Sequence, residues 1–227
     1  LPARRLMARS KAPPPDYLAE APLTDAVRAL ARRGELCRFA KGTVLIQEGA
    51  QGDTLFVVLA GRLRVYSSQM SSEREFTLGT YGPGEYVGEM GLDGGPRAAN
   101  VAALEPTVCS MITRRTLEAH LAEQPAFAFE LLAKVIRRAR MATLSAKSMA
   151  LNDVYGRLKL QLESIAEAQP DGTRRIVEKI THLELANRVG CSREMVTRQL
   201  NDLQQGGYLQ VARRGEMVLM KALPPRW

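Results

Sequence analysis

Two histidines and three cysteines in 227 residues leave few side chains from which a metal centre or a nucleophilic active site could be assembled. A jelly-roll enzyme of the metal-binding kind needs clustered histidine and carboxylate ligands. His120 and His182 fall in different parts of the chain, and His120 reads as an ordinary helix-surface residue. Cys37, Cys109 and Cys191 are odd in number and far apart in sequence. They suggest neither a disulfide framework nor a zinc site, and a reducing cytoplasm is the expected compartment. Cys109 sits in an apolar run, which predicts a buried, inert thiol. Long hydrophobic stretches are missing too. The longest, residues 55–60, is far too short for a bilayer core of about 30 Å, and the opening Leu-Pro-Ala-Arg-Arg lacks the apolar stretch of a signal peptide. No membrane partner is expected.

Positive charge is in excess, a net +8, and it is unevenly placed. Residues 1–15 carry four basic side chains and no acid, and with Pro13-Pro14-Pro15 they read as a flexible basic leader. Residues 16–153 carry 16 charges of each sign, whereas residues 154–227 carry 12 basic against 8 acidic. A basic C-terminal third attracts phosphate, and such binding weakens as salt rises.

Within that third, residues 181–204 place two amphipathic helical segments on either side of Gly190-Cys191-Ser192. Thr181 followed three residues later by Glu184 predicts a capping box. Gly190 supplies the backbone freedom that ends the first helix, and Ser192 predicts the cap of the second. Val196, Leu200 and Leu203 repeat at spacings of four and three, which predicts one buried stripe. Arg193, Glu194, Thr197, Arg198 and Asn201 fall on the other side, where the first turns of a recognition helix meet base edges in a major groove. A surface helix pair with merely solvated charges is the alternative, and the joint presence of box, turn and second cap counts against it.

Upstream, residues 16–36 predict a short helical lead-in, with Leu23, Val27 and Leu30 at near-helical spacing. From Lys41, apolar runs at 44–46, 55–60, 63–66, 76–78, 86–87, 100–103 and 108–112 alternate with glycine turns, with no helix-period stretch among them. That texture predicts an all-β jelly roll or barrel. After Pro125 one long helix is predicted to about Asn152. Leu132, Ile136, Ala139, Thr143, Ala146 and Ala150 recur along it at spacings of 4, 3, 4, 3 and 4. This is the seam of a coiled coil, so a homodimer is expected, unless the stripe packs on the chain's own β-roll. A helix at 155–168, the Pro170-Asp171-Gly172 turn, the helix-turn-helix, and strands at 208–212 and 217–220 complete a winged helix by pattern. The fold class is α+β. Its expected divisions are the leader 1–15, a β-roll domain 16–124, a dimerisation helix 125–152 and a winged helix-turn-helix domain 153–227.

Between the β runs, residues 82–100 combine glycines, the carboxylate of Glu89 and, eight residues later, the guanidinium of Arg97. Glycines allow close backbone approach, and the two charges suit an anionic ligand bearing hydroxyls. Taken alone, the same residues fit a glycine turn common in β proteins.

Gly190-Cys191-Ser192-Arg193-Glu194-Met195-Val196-Thr197-Arg198 closely resembles the recognition helix of the cyclic AMP receptor protein family of bacterial regulators, which includes the fumarate-nitrate reduction regulators. Gly88-Glu89-Met90-Gly91-Leu92 through Pro96-Arg97-Ala98 resembles the phosphate-binding cassette of cyclic-nucleotide-binding domains, and the likeness spans about residues 20–222. The resemblance implies a homodimeric, cytoplasmic transcription regulator rather than an enzyme, without a resident cofactor, controlled by a cyclic nucleotide, with cyclic AMP favoured. It implies that Glu89 binds the ribose 2′-hydroxyl and Arg97 the cyclic phosphate, flanked by Gly88, Met90 and Ala98. Arg138 and Thr143 match the positions that brace the pocket and approach the purine. On the DNA side it implies donation from Arg193 and Arg198 to guanine, and acceptance by Glu194 from cytosine, in TGTGA-like half-sites. Thr197 shares that face, Thr181, Arg213 and Arg214 would contact phosphate, and RNA polymerase is an implied partner. Ala98 stands where a Ser or Thr is usual, and Ala142 where a Thr contacts adenine. Cyclic GMP, cyclic di-GMP and no small ligand are therefore open alternatives. Oxygen-responsive relatives hold an iron-sulfur cluster through several closely spaced cysteines, which Cys37 cannot supply alone, and a haem would find only Cys37 and Cys109 in the β domain.

Overall fold

Strand β3 (Leu55–Ala60) organises the first half of the protein, because it is apolar on both faces and both faces are covered. Successive side chains of a strand point to opposite sides. Leu55, Val57 and Leu59 therefore pack with Val27 and Leu30, while Phe56 and Val58 pack with Ile46, Leu63, Val101 and Cys109. The computed structural model describes residues 16–68, 74–211 and 216–226, so the leader and Arg213-Arg214 lie outside the described residues. Helices α1 (Tyr17–Glu20) and α2 (Asp25–Ala31) come first, then β1 (Glu35–Phe39), β2 (Val44–Ile46) and β3. Strands β4 (Leu63–Ser68), β5 (Glu75–Tyr81), β6 (Tyr86–Val87), β7 (Asn100–Ala103) and β8 (Thr107–Ile112) follow. They form two antiparallel sheets, β1-β8-β3-β6 and β2-β7-β4-β5.

Three local readings change. The helical lead-in stops at Ala31, and residues 35–39 form an edge strand because β8 offers them a pairing partner. That register sets Cys37 directly opposite Cys109, so two cysteines far apart in sequence are cross-strand neighbours. Within the β region, Glu89–Asp93 forms a short 3₁₀ helix between Gly88 and Gly94, both with positive φ. One turn is too short to carry a helical hydrophobic period.

Helix α3 (Arg114–Glu123) turns inward through Leu117 and His120, three residues apart. His120 is fully buried, not a surface residue, and its ring meets that of Phe127 edge-on at 5.1 Å. Neither ring nitrogen has a hydrogen-bond partner. Helix α4 (Phe127–Leu151) has 25 residues, a length of about 37 Å. Its inner side docks on the β-roll, where Lys134 donates to Gly84 O at 3.0 Å and lies over the Tyr86 ring at 4.4 Å.

The C-terminal part contains α5 (Val154–Ile165), β9 (Ala166–Ala168), β10 (Arg174–Ile176), α6 (His182–Val189), α7 (Arg193–Gln205), β11 (Leu209–Val211) and β12 (Met217–Leu219). The predicted helix over 155–168 ends at Ile165, because residues 166–168 pair with β10. The expected two-stranded wing is thereby part of a four-stranded sheet, β11-β12-β10-β9. Ile176, Met217 and Leu219 seal it over a core of Leu158, Leu162, Leu185 and Leu200.

Candidate effector pocket and nucleic-acid interface

The glycine-rich segment after β6 wraps the Arg97 side chain. Gly88 has φ 96°, and a Cβ there would stand 2.6 Å from Thr54 O, so the position requires glycine. Arg97 is 7% exposed. It donates from Nη1 to Gly88 O at 2.8 Å and from Nη2 to Thr54 Oγ1 at 2.9 Å. Burial pushes its pKa below the ordinary value, against the opposing pull of Asp53 and Glu89. The guanidinium stays charged, held in place and partly dehydrated, which suits it to an anion.

Glu89 faces the long helix. Its carboxylate meets Arg138 Nη1 at 2.5 Å, with the Glu89 side chain 8% and the Arg138 side chain 23% exposed. Arg138 also donates to Tyr86 O and lies over the Tyr81 ring at 4.4 Å. Burial works against the Arg138 charge, and Glu89, together with smaller contributions from Tyr81 and Tyr86, more than offsets it, so the pKa lies above the ordinary value. The cassette and α4 thus share one electrostatic unit. A ligand hydroxyl donating to Glu89 would compete with Arg138 for the same carboxylate.

In the helix-turn-helix, Thr181 accepts from Glu184 N at 3.1 Å and Ser192 from Met195 N at 3.2 Å. Glu184 sends its carboxylate to Arg188 at 3.2 Å, a different use from the reciprocal half of a capping box. Gly190, with φ 75°, makes the turn. A Cβ on it would stand 3.3 Å from Met149 Cε and 3.5 Å from the Phe76 ring, so α4 and β5 reach the turn. Arg157 adds a second tie, donating to Asn152 O and to Val189 O at 2.9 Å each. Val196, Leu200 and Leu203 are buried as the stripe predicts. Arg193, Glu194, Thr197, Arg198 and Asn201 line one shallow surface concavity of about 490 Å³. Hydrogen bonds from its own backbone and from Ser192 hold the Glu194 carboxyl below its ordinary pKa. Thr197 Oγ1 donates to Arg193 O at 2.9 Å, which leaves His182 Nδ1 as donor to it at 2.8 Å.

Residues 36–124 match the cyclic nucleotide-binding domain family, and residues 157–223 match the Crp-like helix-turn-helix domain family. The cyclic AMP receptor protein of Thermus thermophilus is 30% identical over 174 residues, 76% of this chain and 78% of that protein. The chain belongs to the cyclic AMP receptor protein family. The CRP-like cAMP-activated global transcriptional regulator of Mycobacterium tuberculosis is 28% identical over 199 residues, 86% of this chain and 88% of that one. The structure of the c-di-GMP responsive global regulator CLP of Xanthomonas campestris aligns with a TM-score of 0.75 at 25% identity, over 86% of this chain and 98% of the other. This family member is a transcription regulator with a cyclic nucleotide-binding domain and a DNA-binding helix-turn-helix, and is not an enzyme. Among the described residues no helix is long and apolar enough to cross a membrane.

In this regulator the fold brings Gly88, Glu89, Arg97 and Arg138 together, and leaves Met90 and Ala98 exposed at the surface. Thr143 spends its hydroxyl inside α4, on Ala139 O at 3.0 Å. It lies on an exposed stripe with Leu132, Ile136, Ala139, Ala146 and Ala150, so the stripe does not pack on the chain's own β-roll. Thr54, Tyr81 and Tyr86 are pocket residues that sequence reasoning missed. Thr54 lies 43 positions before Arg97 and had no linear signal. Phe129 was also missed. It is 77% exposed and stands seven residues before Ile136, so the heptad spacing could have found it.

Proposed function

We propose that the protein is a cytoplasmic homodimer, joined along the α4 stripe, that binds cyclic AMP in the Gly88–Arg97 cassette and reads a palindrome of TGTGA-like half-sites. The observation carrying this reading is the Glu89–Arg138 pair, which joins a carboxylate of the cassette to the helix that bears the exposed apolar seam. Arg97 takes the cyclic phosphate and Glu89 the ribose hydroxyl. Ligand contact with Glu89 changes its bond to Arg138, and α4 carries that change to the turn at Gly190 through Met149. Arg193, Glu194 and Arg198 read base edges; Thr181, Arg213 and Arg214 hold phosphate, and RNA polymerase is the further partner. The working divisions are 16–124 for effector binding, 125–152 for dimerisation and 153–227 for DNA.

A second reading has cyclic di-GMP as the effector. It is favoured by the likeness to the c-di-GMP responsive regulator of Xanthomonas campestris, and by the methyl group that Ala98 presents in place of a hydroxyl. Calorimetric titration with cyclic AMP, cyclic GMP and cyclic di-GMP decides between them. The expected outcome is tightest binding of cyclic AMP. Arg97→Ala should weaken it by roughly 3 kcal/mol, about a hundredfold, for loss of charged hydrogen bonds. Unchanged affinity in that variant would remove the pocket assignment.

A further inference from the structure

Cys37 and Cys109 are paired residues on the antiparallel neighbours β1 and β8. Residues in register on antiparallel strands point to the same face, with Cα atoms about 4.5 or 5.5 Å apart according to the type of pair. Both values lie inside the window of roughly 4.4–6.8 Å that a disulfide spans. Cys109 is fully buried in the core between the two sheets, beside Phe56 and Val58, whereas Cys37 is half-buried on the edge strand of its sheet. Among the described residues β1 is hydrogen-bonded to β8 alone in that sheet, so it can adjust to a new covalent bond without disturbing a second described strand. Both are free thiols. We propose that Cys37 and Cys109 are an oxidisable dithiol, which a low-molecular-weight disulfide converts into an intrachain cross-strand disulfide.

The chemistry proceeds in two exchanges. The Cys37 thiolate attacks one sulfur of the oxidant, expelling one thiolate and leaving a mixed disulfide on Cys37. Cys109 then loses its proton and attacks the Cys37 sulfur, and the second half of the oxidant leaves as a thiol. Two cysteine thiols are oxidised, and one external disulfide is reduced to two thiols. The order follows from the surroundings. Burial and Glu35 raise the Cys37 pKa, but burial and the neighbouring Cys37 push Cys109 up to about 12, so Cys37 supplies more thiolate and is the one the reagent can reach.

The test uses the full chain carrying Cys191→Ser, with oxidised glutathione as oxidant, and mass spectrometry after alkylation of the remaining thiols. The expected result is loss of both alkylatable thiols and of two hydrogens from the intact mass. Non-reducing digestion should show a Cys37–Cys109 peptide that dithiothreitol releases. With Cys109→Ala added, the reaction should stop at a glutathione adduct on Cys37; with Cys37→Ser added instead, Cys109 should stay unmodified. The single Cys37→Ser change is at a half-buried site and keeps the test interpretable if Cys109→Ala fails to fold. A stable Cys37–glutathione adduct with Cys109 still alkylatable, a disulfide between chains, or no reaction in the folded protein would each overturn the proposal.

Discussion

Replacing Arg138 by methionine keeps much of the side-chain length and removes the charge that Glu89 faces. In the folded protein the Glu89 side chain is only 8% exposed, so water cannot take the place of the lost partner without rearrangement. Deleting one member of a buried ion pair costs about 3 to 5 kcal/mol. Arg138 is 23% exposed, which brings solvent to one side of the pair, so a loss of about 2 to 3 kcal/mol is expected. At a urea dependence of about 2 kcal/mol per molar, the unfolding midpoint should fall by roughly 1 M. Part of this loss belongs to the Tyr81 ring and the Tyr86 carbonyl, which Arg138 also touches. A double-mutant cycle with Glu89→Gln separates the terms, and the pair itself should show a coupling of about 2 kcal/mol. The assay is urea unfolding by far-ultraviolet circular dichroism at one fixed protein concentration. A coupling below about 0.5 kcal/mol would put this pair with ordinary surface ion pairs, and the idea that the cassette and α4 form one electrostatic unit would fall.

Ile136→Glu places a charge in the exposed α4 stripe, where Ile136 is 49% exposed in the single chain, and should convert a dimer to monomer in sedimentation velocity. A wild-type protein that is already monomeric at micromolar concentration would sink the dimer assignment. Burial, and secondarily Arg33, hold the His120 pKa below its ordinary 6.5. As pH falls through 6.5 the unfolded chain takes up this proton before the folded chain does, so stability at neutral pH should decline into the acid range. His120→Leu removes that proton and two unpaired buried nitrogens; it should stabilise more at pH 5 than at pH 8, and parallel acid limbs for the two proteins would refute this. Glu194→Ala should relax preference at one base pair, because the carboxylate can accept from cytosine and not from thymine. Arg214→Ala should instead weaken all sequences alike and make the salt dependence shallower, so identical sequence logos and losses in a binding-site selection would contradict the division of roles.

Features set by neighbours within one helical turn were legible in advance. The caps at Thr181 and Ser192 and the turn at Gly190 depend on groups three or four residues away, and the structure shows each in place. The apolar runs at 44–46, 55–60, 86–87 and 100–103 are strands with those bounds, because glycine turns separate them. Strands β1, β9 and β10 gave no comparable signal. Residues 35–39 and 166–168 are short and half polar, and they become strands by pairing with β8 and β10. His120 shows the same limit from another side: one histidine on a charged helix looks solvated until Phe127 is placed against it.

The amino-acid sequence by itself determined the glycine-separated apolar strands of the β-roll, the buried stripe of the recognition helix and the identities of Glu89 and Arg97, since periodicity, capping and glycine placement act over a few residues. Tertiary structure alone decided that Thr54 holds Arg97, that Arg138 pairs with Glu89 and that Cys37 meets Cys109. Each of those contacts joins residues more than forty positions apart. Such pairs are selected by strand register and by the packing of α4 on the β-roll, where the gain comes from burying surfaces that no local window of the chain contains.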